Sequence, residues 1–269
     1  MRILLAAKHA PHGSRPIGGV QSWCRTVMRE LMRRKHEVIT WGPEQPVPLG
    51  GFDLGIIANS GDTEQAFKWC AKSLNVCHGL IPAERPCDGV PVVYTSEEVR
   101  DHWGGDGKVI RQPIDTEFWS PMIRYGESLN LRIHLTRFSY RGGLEFVKAI
   151  AEDLQYPYQH VRNLTPEKAR EVIRKSACVL ATGRAALEAM ACDVPVVIVD
   201  HRSAYQGPLM DLSVIGAMIR NYSGRGGVVP KIENLRSAIE ESIQAGGKRE
   251  HVLKHHDVQD VTDQLLEAA

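Results

Sequence analysis

No C-x-x-C pair occurs among the six cysteines, Cys24, Cys70, Cys77, Cys87, Cys178 and Cys192, several of which lie inside apolar or helical patterns. That spacing argues against a zinc site or a disulfide framework and for reduced, packed thiols, which points to the cytoplasm. Charge of one sign is also lacking. Thirty-three Lys and Arg stand against 32 Asp and Glu, so a formal charge of +1 gives no broad field to recruit nucleic acid or a membrane surface. The N-terminal apolar run stops at Lys8-His9, too soon for a signal-peptide core or a membrane span, and reads as a buried strand. There is no G-x-G-x-x-G, no G-x-x-x-x-G-K-[ST], no G-x-S-x-G and no H-E-x-x-H. The usual nicotinamide dehydrogenase, P-loop NTPase, serine hydrolase and zinc protease readings therefore lose their support.

What is present is an ordinary globular composition, 43% apolar and 24% charged, in a chain of 269 residues with room for one large or two modest domains. A strand over residues 2–7 leads through a Pro- and Gly-rich loop ending at Gly18-Gly19 into an amphipathic helix from Val20 to Arg34. Strands follow at Glu37–Trp41 and Phe52–Ile57, a helix at Thr63–Lys72, strands at Leu74–Cys77 and Val90–Tyr94, and a helix at Ser96–Trp103 capped by Ser96. The proline-punctuated stretch Val109–Pro121 reads as a linker, dividing the chain into residues 1–121 and 122–269. The second series has a strand at Arg132–Thr136, helices at Gly143–Ala151 and Pro166–Lys175, and a strand at Cys178–Ala181. A helix at Ala185–Ala191 and a strand at Val194–Val199 follow, then helices at Leu235–Gln244 and Asp257–Leu266. Thr165 before Pro166 is a strong helix start. Strands alternating with helices in both halves predict α/β domains with parallel sheets covered on both faces.

The run from Gly183 to Val197 carries the most information. A glycine turn, a short helix with one carboxylate and a β-branched strand put Gly183, Arg184, Ala185 and Glu188 at a strand-to-helix edge, where α/β proteins bind nucleotide phosphates. Leu187-Glu188-Ala189-Met190-Ala191, with Pro195-Val196-Val197 after it, closely resembles the "LEAMA-x-G-x-PVV" donor-site signature of the GT4-like superfamily of GT-B glycosyltransferases. Three weaker matches follow in register. Gly18-Gly19-Val20 with His36-Glu37-Val38 resembles the family's "GGV…GHeV" opening, Val109–Pro121 its "viPNGvDtexFxP" segment, and Leu135–Arg137 with Arg141–Gly143 its "vGRlxxxKG" run.

The resemblance covers nearly the whole chain. It implies two doubly wound Rossmann-like domains facing across a cleft, the first for the acceptor and the second for the donor, with the last helix packing back on the first. It also implies a retaining glycosyltransferase, of hexosyltransferase type, that uses a nucleotide-diphosphate sugar, UDP- or GDP-linked, without cofactor or metal. Arg137 and Arg141 would clamp the departing diphosphate with bidentate guanidinium contacts. Glu188 would accept from both ribose hydroxyls, Gly183, Arg184 and Ala185 would offer N–H groups to the pyrophosphate, and His78 would line the sugar site as a neutral-pH donor and acceptor. Gly18 and Gly19 would let backbone approach a phosphate or an acceptor. His9 and His12 are weaker acceptor contacts, and His251, His255 and His256 read as a solvated helix face. The acceptor class stays open among glycan, lipid and nucleic-acid base.

One departure stands out. The family's E-x7-E pair has its first glutamate eight residues before the second, where this chain has Leu180. That departure motivates one alternative, a non-catalytic nucleotide-sugar-binding protein; a length of 269 residues, short for this family, motivates another, a DNA-base-modifying glycosyltransferase of viral origin, and a nucleotide-sugar epimerase of the same architecture is a third.

Overall fold

The computed structural model describes residues 1–10, 18–59, 61, 63–122, 134–138, 145–200, 209–211, 213–228 and 231–269, with backbone only at 145, 146, 200, 209–211 and 232. The chain separates into two compact units, Met1–Pro113 with His256–Ala269, and Ile114–His255. The Val109–Pro121 stretch straddles that division.

In the first unit, β1 (Arg2–Ala6), β2 (Glu37–Trp41), β3 (Phe52–Ala58), β4 (Cys70–Cys77), β5 (Val92–Tyr94) and β6 (Lys108–Val109) form a parallel sheet ordered β2-β1-β3-β4-β5-β6. Helix α1 (Gly19–Arg33) lies between β1 and β2 in the chain, and α2 (Glu97–Trp103) starts at Ser96, whose hydroxyl accepts from Val99 N–H at 3.3 Å. The strands bury Ile3, Leu5, Ile56, Leu74 and Val76 against Trp23, Val27 and Leu31 of α1. Such continuous apolar strands are what a sheet covered on both faces requires.

The predicted helix at Thr63–Lys72 is not formed. A 3₁₀ turn occupies Glu64–Trp69, and from Cys70 onward the chain is already β4, paired with β3 from Phe52 against Cys70. Two packing contacts favour the strand. Trp69 meets Trp41 edge-on at 4.9 Å, and Cys70 sits so close to Gly55 that a Cβ there would lie 2.6 Å from its sulfur.

The second unit holds β7 (His134–Phe138), α3 (Glu145–Asp153), β8 (Tyr158–Val161), α4 (Pro166–Arg174), β9 (Ser176–Ala181), α5 (Gly183–Ala191), β10 (Val196–Asp200), β11 (Leu209–Asp211), α6 (Val214–Ile219), α7 (Ile232–Ala245) and α8 (Arg249–His256) up to its last residue, His256, which belongs to the first unit. Its sheet runs β11-β10-β9-β7-β8, parallel except for β11. Strands β6, β8 and β11 and helix α6 have no counterpart in the sequence reading; each is short, so its periodicity is brief. The last helix, α9 (Val258–Ala268), belongs to the first unit, where Val261 and Leu265 join the core of α1 and the sheet. Arg34, the C-cap of α1, pairs with Asp263 and donates to the Gln259 carbonyl at 2.8 Å.

Inside the linker motif, the Asp115 carboxylate accepts from Phe118 N–H at 3.0 Å, which closes the turn. Arg170 lies over the Phe118 ring at 4.2 Å, and Arg174 donates to Ser120 O at 2.7 Å. The aspartate, phenylalanine and proline pattern is therefore a folded turn held to α4.

Candidate functional site

Each sheet reverses direction at one point. In the second unit the chain passes from β7 out to β8 and returns to β9 on the far side of β7, so the carboxyl ends of β7 and β9 flank a topological switch point. Open α/β sheets bind ligands at such points. Arg137 lies near the end of β7, in register with Leu180 of β9, and Gly183 opens α5 three residues beyond Leu180. The topology thus brings Arg137 and the first turn of α5 to the same edge.

Gly183 has φ +56°, a left-handed conformation that glycine adopts without strain. The preceding Thr182 makes no side-chain cap. The Gly183 N–H instead donates to the carbonyl of Tyr222 at 2.6 Å, so among the expected phosphate donors this one is already engaged. The N–H groups of Arg184 and Ala185 fall at the next two positions, where an α-helix has no carbonyl of its own to offer.

Glu188 is one turn into the helix and accepts from Arg184 Nε at 2.8 Å, the two side chains being 16% and 11% exposed. Burial pushes the Glu188 carboxyl above its ordinary range, and the Arg184 charge and hydrogen bond pull it part of the way back. Arg137 is wholly buried, with a charge that cannot be shed because guanidinium stays protonated. Leu180, where the family has its first glutamate, is fully enclosed in β9. Arg141 lies outside the described residues.

In the first unit the switch point is between β1 and β3. His78 follows β4, its backbone N–H held at 3.0 Å by Asn59 Oδ1, from the residue just past β3. Asn59 adopts φ +55°. The His78 ring meets Trp23 edge-on at 5.0 Å, and its Nε2 is buried without a hydrogen-bond partner among the described residues. Burial lowers its pKa to about 3, so it is neutral across the physiological range. Gly18 caps α1, donating its N–H to Gln21 Oε1 at 3.0 Å, and Gly19 is the first helical residue. His9 lies 3.9 Å from Glu44, and His12 is outside the described residues.

The C-terminal histidines are more engaged than a solvated face. His251 Nε2 is 2.6 Å from Tyr222 Oη, and the buried His256 Nδ1 is 2.9 Å from Gln112 O. Among the described residues no group of three or more His, Cys, Asp or Glu could hold a metal ion, and no helix is long and apolar enough to cross a membrane. All six cysteines are free. Sequence reasoning overlooked Asn59 and Tyr222, which hold the candidate residues. The glycine-flanked run Arg220–Gly227 was the signal for the second: Asn221, Tyr222, Gly224 and Gly226 all have positive φ.

No family model matches the chain, and neither does any curated protein. Solved structures do match. A sucrose-phosphate synthase from Thermosynechococcus elongatus superposes with a TM-score of 0.65 at 14% identity, covering 99% of this chain and 97% of that one. AviGT4, a glycosyltransferase involved in Avilamycin A biosynthesis, gives 0.59 at 14% identity over 99% and 96%. An alpha-glucosyltransferase in complex with UDP and a 13-mer DNA containing a central A:G mismatch gives 0.60 at 11% identity, covering 99% of each chain. The fold is that of GT-B glycosyltransferases, with two Rossmann-like sheets.

Proposed function

We propose that this protein is a glycosyltransferase that moves a sugar from a nucleotide-diphosphate donor to an acceptor hydroxyl. The observation that carries the reading is the shared edge of β7 and β9, where a buried, permanently charged arginine and the opening turn of α5 stand together. Charge grows on the diphosphate as the anomeric C–O bond breaks, and fixed positive charge with oriented N–H groups stabilises it there. Arg137 takes that role, with Arg141 assigned on the sequence pattern alone. The N–H groups of Arg184 and Ala185 face the phosphates. Glu188 accepts from the ribose hydroxyls, for which a carboxylate held by Arg184 keeps lone pairs to spare.

His78, neutral and buried, hydrogen-bonds a hydroxyl of the sugar or acceptor and does not act as a charged group. We assign the reaction to the retaining, GT4-like class. The acceptor oxygen attacks the anomeric carbon on the face the diphosphate leaves, and the acceptor proton passes to the departing diphosphate oxygen. The position of the family's first glutamate is taken by Leu180, buried in β9, so the transferred sugar is held differently here.

The test is release of nucleotide diphosphate from a panel of UDP- and GDP-sugars, with glycan, lipid and duplex-DNA acceptors in separate arms and the product anomer read by proton NMR. Turnover that falls mainly in rate with Arg137→Ala and mainly in donor affinity with Glu188→Ala supports the assignment. Wild-type activity in both variants refutes it. Nucleotide binding with no turnover on any acceptor or water leaves a binding protein.

A further inference from the structure

Tyr222 is buried completely, yet its backbone has φ +54° and follows Asn221 at +53°. Consecutive left-handed residues of this kind are costly, since a side chain crowds the backbone there, and they persist where the surroundings fix them. Tyr222 is held at its N–H, its carbonyl and its phenol. Its N–H donates to Ala217 O at 2.6 Å, its carbonyl accepts from Gly183 N–H at 2.6 Å, and its phenol meets His251 Nε2 at 2.6 Å. The carbonyl bond lies at the start of α5, where Thr182 provides no side-chain cap. A backbone carbonyl 39 residues further along the chain therefore does what a local cap residue usually does, and it orients the helix end that presents Arg184, Ala185 and Glu188.

We propose that Tyr222, anchored by His251 of α8, is a positioning residue for the nucleotide-diphosphate site. The proposal rests on the donor reading above. The phenol–imidazole bond fixes where the Tyr222 carbonyl stands, and the carbonyl fixes Gly183 in its left-handed turn. The next N–H groups then point in one direction before the ligand arrives, so binding need not order them. Tyr222 touches neither phosphate nor sugar in this scheme; it acts through Gly183.

The test uses the full chain and UDP as the probe, with affinity by calorimetry, thermal stability, and hydrogen exchange at the Gly183 amide. Tyr222→Phe removes only the hydroxyl, and His251→Leu removes its partner. Each is expected to weaken UDP binding by about three- to tenfold, the worth of one hydrogen bond, and to speed Gly183 exchange. The double variant is expected to lose no more than either single one. His251→Gln, which keeps a polar group for the phenol, is expected to restore affinity. Variants that melt earlier but bind UDP like wild type, or losses that simply add, overturn the positioning role. A wild-type protein that binds none of UDP, GDP and ADP fails the donor reading instead, whatever Gly183 exchange shows.

Discussion

Arg184 Nε donates to Glu188 Oε1 at 2.8 Å, one helical turn apart, in a pair that is mostly out of solvent. Taking away one partner leaves the other charge poorly hydrated. We expect Glu188→Ala to cost about 2 kcal/mol in urea unfolding, and Arg184→Met with Glu188→Leu to cost less than the two single changes summed.

The same pair sets a pH dependence. The folded-state pKa of Glu188 is above its ordinary value of 4.5, burial being the larger cause. Its favourable contribution to stability is therefore complete below 4.5 and is lost as pH climbs through the raised value. Glu188→Gln should flatten the stability profile in that window; an unchanged slope would show that Glu188 is not the group responsible.

His78 has the opposite sign. Its pKa falls from 6.5 to about 3 in the fold, so its contribution is whole above 6.5 and declines as pH drops toward 3. Replacing it with phenylalanine, which keeps a ring against Trp23, should lower the acid-unfolding midpoint by about half a pH unit. Circular dichroism against pH reads this directly.

Four thiols, Cys24, Cys77, Cys178 and Cys192, are pushed up to about 12 chiefly by burial. A thiol at that value offers almost no thiolate near neutral pH. Native protein treated with a thiol reagent should label none of the four until denaturant is added, as mass spectrometry of the labelled peptides will show.

Much of this was legible in the chain because strong local signals coincide with the fold. Ser96 and Thr165 start helices where their side chains predict, and the apolar runs at Ile3 and Ile56 become central strands. The failure at Thr63–Lys72 has a non-local cause. Helical spacing there competes with β3, and the strand forms because Gly55 leaves room for Cys70. The candidate site divides in the same way. Glu188 and its neighbours are contiguous in sequence and can be read there, whereas Asn59 holds His78 from 19 residues away and Tyr222 holds Gly183 from 39, through contacts no window contains. The isolation of Leu180 in β9 is consistent with its apolar neighbours, which left no place for a glutamate facing a ligand.

In the proposed function a nucleotide diphosphate binds at the opening turn of α5. The most direct measurement is a crystal structure of the protein grown with UDP or GDP. Phosphate oxygens are expected within hydrogen-bond distance of the Arg184 and Ala185 N–H groups, with the Arg137 guanidinium beside them and both ribose hydroxyls on Glu188. A nucleotide bound elsewhere, or Glu188 still closed on Arg184 with no ribose near it, would contradict it.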